Sequence, residues 1–233
     1  MKIAALLTGR GGSKLKDKNI IKLAGLPCLA YPCKAAKKVK IIDKYFVSSE
    51  NKKILKEASK YKFEIIKRPF NLARASTLHV DVLKHALRVM NKKFSFYPEI
   101  LIVLLANAPI VKAKWIKNSI NLLIKNKEIT SVVPVIKNND HHPIRSVKIK
   151  GNYLESNIKL KDNISTNRQD LNDNYFLCHN FWAIKTSNIF KNKRSLFLKF
   201  LGNKVKAYPI ENSIDIHSQE DVLLANFLIK KNK

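Results

Sequence analysis

"KIAALLTGRGGSKLKDKN" (residues 2–19) joins a short apolar run to a turn that carries Gly9, Gly11 and Gly12 together with Arg10, Lys14, Lys16 and Lys18. The run 2–8 reads as a buried first strand, and in an open α/β sheet ligands collect beyond the carboxyl ends of the strands. Glycines there let the backbone come close and aim N–H groups at anionic oxygens. Arg10 and Lys18 can neutralise charge on either side, and Ser13 can donate a hydroxyl hydrogen bond. A plain basic surface turn is the competing reading. Neither the Walker A spacing nor the dinucleotide pattern of spaced glycines fits "GRGGSK", so no common phosphate motif decides between them.

Working outward from the turn, apolar clusters alternate with helical patterns. "CLAYPCKAAKKV" (28–39) reads as a helix, "KYFVSS" (44–49) as a strand, and 50–60 as a helix with Ile54, Leu55 and Ala58 on its apolar face. "FEIIK" (63–67) is a further strand, and Val80, Leu83, Leu87 and Met90 fall at helical spacing within 77–91. "EILIVLLA" (99–106) is continuously apolar, as a central strand covered on both faces must be. A helix around 115–124 leads to the strand "TSVVPVIK" (130–137). Strands alternating with helices predict an α/β fold with a three-layer, mostly parallel, Rossmann-like sheet.

The rhythm changes after residue 137. "SVKIKGNYLES" (146–156) reads as a hairpin turning at Gly151-Asn152. The polar stretch 159–174 reads as loop, and "YFLCHNFWAI" (175–184) as one strand. "KAYPI" (206–210) is the last strand; Ser218 and Asp221 then resemble a capping box for the amphipathic helix "EDVLLANFLIKK". No linker marks a boundary, which predicts one domain over 1–233 with a small protruding segment at 138–174. Trp115 and Trp182 are expected in the core or an interface, and Cys178 as a small buried apolar residue.

The chain has 233 residues and a formal net charge of +28. Such a charge fits a polyanion partner. Its lysines are dispersed through separate segments without interleaved aromatics, which argues against a nucleic-acid interface and for a solvated surface. The longest nearly uncharged apolar run, 100–111, is short of the ~20 residues that span a bilayer, so no membrane insertion is expected. Cys28, Cys33 and Cys178 lack metal-site spacing, and reduced thiols in a cytoplasmic setting are the expectation.

Seven pieces in order extend the opening turn along the chain: "GRGGSKLKDKN", "FVSSE", "KRPFNLARASTLHVDVLKHAL", "IVLLANAP", "SVVPV…HHP", "NRQDL" and "SIDIHSQEDV". Together they resemble the CMP-sugar synthetases, the acylneuraminate cytidylyltransferases and their relatives. The resemblance implies an enzyme that binds CTP with its first loop around the triphosphate. A hydroxyl of an acidic (nonulosonic or ulosonic) sugar would attack the α-phosphorus, with Mg2+ assisting departure of pyrophosphate, for surface polysaccharide or glycan assembly. It assigns catalysis to Arg10, Lys18 and Asp215, and nucleotide binding to Gly11, Gly12, Ser13, Asn19, Arg68 and His79, the last standing where the family often has Ser. Sugar contacts fall to His142, Arg168 and Gln169, and metal contacts to Asp215 and His217, the latter where the family usually has a second Asp. Segment 138–174 would be the family's dimerisation lobe, making a homodimer. A catalytically weakened sugar-nucleotide binder and a basic nucleic-acid-binding α/β protein are the rival readings.

Overall fold

A computed structural model describes residues 1–159, 165, 167–191 and 196–231. The sequence-predicted loop 159–174 therefore lies partly outside the described residues. The elements run β1 (Ile3–Thr8), β2 (Lys22–Leu23), β3 (Leu26–Pro27), α1 (Ala30–Lys37), β4 (Lys44–Ser49), α2 (Lys52–Ser59), β5 (Glu64–Lys67), α3 (His79–Phe94) and β6 (Ile100–Leu105). They continue with α4 (Ala113–Lys125), β7 (Ser131–Lys137), β8 (Val147–Lys150), β9 (Tyr153–Ser156), β10 (Tyr175–Leu177), β11 (Phe181–Lys185), β12 (Val205–Pro209) and α5 (Gln219–Lys231).

The main sheet has the order β5-β4-β1-β6-β11-β7, with β10 and β12 both pairing with β7. β1, β4, β5 and β6 are parallel neighbours, whereas β11 runs antiparallel to β6 and β7. Every residue of β1 is buried, as the apolar run demands of a strand covered on both faces. The two-residue period of the pleat then divides the core. Ile3, Ala5 and Leu7 pack with residues of α1, α2, α4 and α5, while Ala4 and Leu6 pack with Leu83, Leu87 and Met90 of α3. These are the three layers.

The stretch 175–184 is two strands, where the sequence reads as one. β10 pairs Leu177 with Val135, but β11 pairs Ala183 with Val132, so the register slips between them. The cause lies at Cys178–Asn180. Cys178 N–H still donates to Pro134 O at 2.9 Å, but Asn180 turns inward, fully buried, and its Nδ2 donates to Ile110 O at 2.6 Å. Such a bulge re-aims the side chain between the strands, here His179.

Two other expectations meet the structure differently. The hairpin forms as read, β8 against β9 with Gly151 at φ 60°, as a separate two-stranded sheet. α5 is not simply amphipathic. Val222, Ala225 and Ile229 are buried, but Leu223, Leu224 and Phe227 stay exposed. Trp115 and Trp182 are both core residues. No helix among the described residues is long and apolar enough to cross a membrane.

Candidate active site

The carboxyl ends of β1 and β6 open onto a cavity of about 440 Å³. Its floor is tightly built. A Cβ on Gly9 would stand 2.9 Å from the Ala106 Cβ, so glycine is what lets the chain leaving β1 pass the end of β6. The turn is closed by Asn19, which is 4% exposed and donates from Nδ2 to Arg10 O at 2.8 Å. That bond leaves Arg10, Lys18 and Asn19 together on the cavity wall.

The rest of the glycine turn lies elsewhere. Gly11, Gly12 and Ser13 do not line this cavity. Gly11 N–H donates to Glu50 Oε1 at 2.6 Å, Gly12 is exposed at φ 61°, and Ser13 Oγ donates to Leu15 O at 3.0 Å. Lys14 and Lys16 point to solvent.

Behind the first loop, β5 delivers Arg68 and α3 delivers His79. Arg68 is buried, with Nη2 donating to Ser48 O at 2.6 Å and Nε to Ser48 Oγ at 3.2 Å. Burial lowers its pKa to about 10, partly opposed by Glu50, so it keeps its charge at neutral pH. The His79 ring packs edge-on against Trp182 with centroids 5.1 Å apart, and its Nε2 lies 3.4 Å from Thr8 Oγ1. Burial lowers the His79 pKa to about 4, helped by the charge of Arg68. At neutral pH this ring is therefore uncharged.

That depressed pKa carries a stability prediction. Between about pH 6.5 and 4 the unfolded chain binds a proton at residue 79 that the folded chain refuses, so stability is lost as pH falls through this window. The full loss is roughly 3–3.5 kcal/mol. Thermal melts of His79→Asn should show a shallower fall in Tm across that window than the parent; an equally steep fall would assign the effect to other groups.

The opposite wall comes from the approach to α5. Ile216 N–H donates to Asn107 O at 2.9 Å, which ties this segment to the end of β6. Asp221 Oδ2 accepts from His217 N–H at 2.8 Å and Ser218 N–H at 2.9 Å, while Asp221 N–H donates to Ser218 Oγ at 3.3 Å. The capping box thus does more than start α5: it presents Asp215 and His217 to the cavity. His217 Nδ1 lies 3.3 Å from Lys18 Nζ, and its Nε2 lies 3.9 Å from Asp215 Oδ2. Asp215 Oδ1 is buried without a hydrogen-bond partner. Burial raises the Asp215 pKa, with His179, His217 and Lys18 drawing it back. Burial likewise lowers that of Lys18, against the pull of Asp215.

Arg10, Lys18, Arg68 and Arg74 thus share a cavity with one carboxylate, Asp215. Such a wall suits an extended polyanion. The orphaned Asp215 oxygen is the kind of donor a hard divalent cation takes, and a Mg2+ site needs only one or two protein carboxylates beside phosphate oxygens and water. The residues present therefore fit such a cation.

Seven of the sequence-predicted residues meet at the cavity: Arg10, Lys18, Asn19, Arg68, His79, Asp215 and His217. His142, Arg168 and Gln169 do not line it. They sit on the segment beyond β7, where His142 Nδ1 accepts from Ile144 N–H and the Arg168 guanidinium pairs with Asp140 at 2.9 Å. Thr8, Arg74, Thr77 and His179 line the cavity without having been anticipated. His179 was hidden because "YFLCHNFW" reads as unbroken strand, in which a histidine has no reason to leave the ladder.

A family model described as cytidylyltransferase matches residues 4–225. Post-translational flagellin modification protein B of Campylobacter coli is 26% identical over 239 residues, covering 98% of this chain and 95% of that protein. CMP-N,N'-diacetyllegionaminic acid synthase of Campylobacter jejuni is 27% identical over 235 residues, covering 97% of this chain and 94% of that protein. A solved structure titled as CMP:2-keto-3-deoxy-manno-octonic acid synthetase complexed with CTP superposes at TM-score 0.74 over 100% of both chains, with 12% identity, a likeness of fold.

Proposed function

This chain belongs to the cytidylyltransferase family, and we propose that it transfers CMP from CTP to a hydroxyl of a carboxylated sugar, releasing pyrophosphate. The observation that carries this reading is the cavity beyond β1 and β6, where Arg10, Lys18 and Arg68 share the wall with the half-buried carboxylate of Asp215. The name of the Campylobacter jejuni relative, a synthase of a CMP-linked acidic sugar, supports the acceptor class.

The sugar hydroxyl oxygen forms a bond to the α-phosphorus and gives up its proton to water, while the bond from that phosphorus to the α,β-bridging oxygen breaks and pyrophosphate leaves with the electron pair. Little covalent work falls to the protein in such a step; positioning and neutralisation dominate. Arg10 and Lys18 hold phosphate oxygens and balance the charge that grows on the leaving group. Asn19 fixes the loop through Arg10 O and, with Arg68, orients the nucleoside. Asp215, with His217 beside it, would hold a divalent cation such as Mg2+, which when bound draws charge from phosphate oxygens. His79, neutral at pH 7, offers hydrogen bonds without adding charge.

We place the acceptor's carboxylate on residues of a second copy. The β8–β9 hairpin exposes Ile149 (77%), Tyr153 (79%) and Leu154 (69%), and an isolated two-stranded hairpin is only marginally stable in water. Beside the cavity, Phe70 and Leu78 are exposed as well. A homodimer in which each hairpin covers the partner's cavity rim buries both sets and brings His142, Arg168 and Gln169 towards the acceptor. Light scattering is expected to show a dimer that Ile149→Asp with Leu154→Asp converts to monomers; an unchanged mass for the variant removes the proposed interface.

The function itself is tested by incubating the protein with each nucleoside triphosphate, Mg2+ and a panel of 2-keto acidic sugars, and following pyrophosphate. Release with CTP alone among the nucleotides is the expected result. Tight CTP binding without release would select a non-catalytic sugar-nucleotide binder, a reading favoured by the imidazole of His217 where a second carboxylate would serve a hard cation better. Salt-sensitive binding to DNA or RNA with no nucleotide preference would replace both.

A further inference from the structure

α5 is apolar on two faces. Its inner residues Val222, Ala225 and Ile229 pack into the core, while Leu223, Leu224 and Phe227 are 67%, 51% and 61% exposed. Residues three and four apart are neighbours on a helix, so these three form one outward stripe that runs on to Leu228. Leu228 and Ile229 also wall a groove of about 590 Å³ that α5 shares with Leu26, Tyr31 and Val111. The groove is mainly apolar, and Lys34, Lys38 and Lys112 stand along it, all exposed. Lys22, on the β2 strand that packs against α5, and Lys230 and Lys231 at the helix end are exposed too. Acidic neighbours are Glu211, which pairs with Lys112 at 3.0 Å, and Glu220 and Asp221 in the first turn of α5, where Asp221 is taken up by the N–H groups of His217 and Ser218.

A second copy is a poor occupant for this face, because it would bring lysines against lysines in a chain of net charge +28. An anionic surface satisfies both halves of the pattern. We propose that the outer face of α5 and the basic rim of the adjoining groove form a docking surface for an anionic lipid bilayer. Leu223, Leu224 and Phe227 enter the headgroup boundary, and the surrounding lysines meet the lipid phosphates. With 13 residues α5 is too short to span, so it lies along the surface. The catalytic cavity is not involved, and the proposal stands apart from the assigned reaction.

Flotation with vesicles of phosphatidylcholine alone, or with about a third phosphatidylglycerol, tests this on the full chain at low and high salt. The parent protein is expected to float with the anionic vesicles, about tenfold more than with the neutral ones, and to release them as salt rises. The triple variant Leu223→Ser, Leu224→Ser, Phe227→Ser is expected to lose most of that binding while keeping its far-ultraviolet dichroism and its pyrophosphate release. Lys230→Gln with Lys231→Gln should weaken binding without abolishing it. Failure of the parent to bind anionic vesicles overturns the proposal. So does equal binding by the triple variant, which would reduce the effect to diffuse charge. Equal competition by soluble polyglutamate, or a change in oligomeric mass in the triple variant, would assign the face to a protein partner and overturn it as well.

Discussion

Replacing Lys18 with methionine is expected to lower the rate of pyrophosphate release at saturating CTP by about 10²–10³-fold, the loss that follows removal of one donor aimed at developing charge. Methionine keeps most of the aliphatic stem, so the turn from Gly9 to Asn19 has no steric reason to move. What disappears is the ammonium, whose Nζ stands 3.3 Å from His217 Nδ1 on the cavity wall. Burial already disfavours its charged form, while Asp215 supports it. Such a cation sits ready for an incoming phosphate that balances it better than water can. The split between kinetic constants is informative: kcat should fall more than CTP affinity if Lys18 answers charge that grows in the transition state. Lys18→Arg is expected to recover part of the rate. An unchanged kcat in the methionine variant would remove Lys18 from the chemistry.

The second large effect is expected at Asp215. Asparagine there keeps the shape and removes the charge, and pyrophosphate release should drop by roughly 10²-fold or more, since the carboxylate is the anionic member of a cationic cavity. The ligand-free variant should nevertheless melt within a few degrees of the parent. Burial raises the Asp215 pKa, which means that its ionised form is held at a disadvantage in the folded protein, and its Oδ1 has no partner to lose. Activity lost with stability retained marks a residue kept for function. A collapse in Tm would make Asp215 structural instead.

Much of the site is local enough to read from the chain. The "TGRGGSK" turn, the "VSS" strand end and the Ser218–Asp221 cap lie beside regular elements whose apolar periodicity is strong, and the residues that flank those elements reach the cavity: Arg10, Lys18, Asn19, Arg68 and His79. The residues that stand away from the cavity, and the one that enters it unannounced, share a different cause. Backbone freedom points Gly11 at phosphate, yet its N–H donates to Glu50, 39 residues away in a different loop. His179 enters the cavity because Asn180 buries itself against Ile110 O and breaks the ladder, a choice that depends on a carbonyl contributed by the loop after β6. Arg168 faces Asp140 within its own lobe, and no sequence spacing could say how far that lobe stands from the cavity.

By itself, then, the amino-acid order determined the alternation of strands and helices, the two-sided burial of β1 and β6, the hairpin at Gly151 and the family to which the chain belongs. The first three follow from short-range periodicity and turn chemistry, where each residue is read against neighbours a few positions away; the family rests on the likeness of seven ordered segments and on the family model that matches residues 4–225. Tertiary structure alone decided which side chains share a cavity, which way burial moves the pKa values of Arg68, His79 and Asp215, and which face of α5 is left uncovered. Those properties depend on atoms brought together from distant parts of the chain. Desolvation and charge–charge coupling act through space, so no reading along the backbone can supply them.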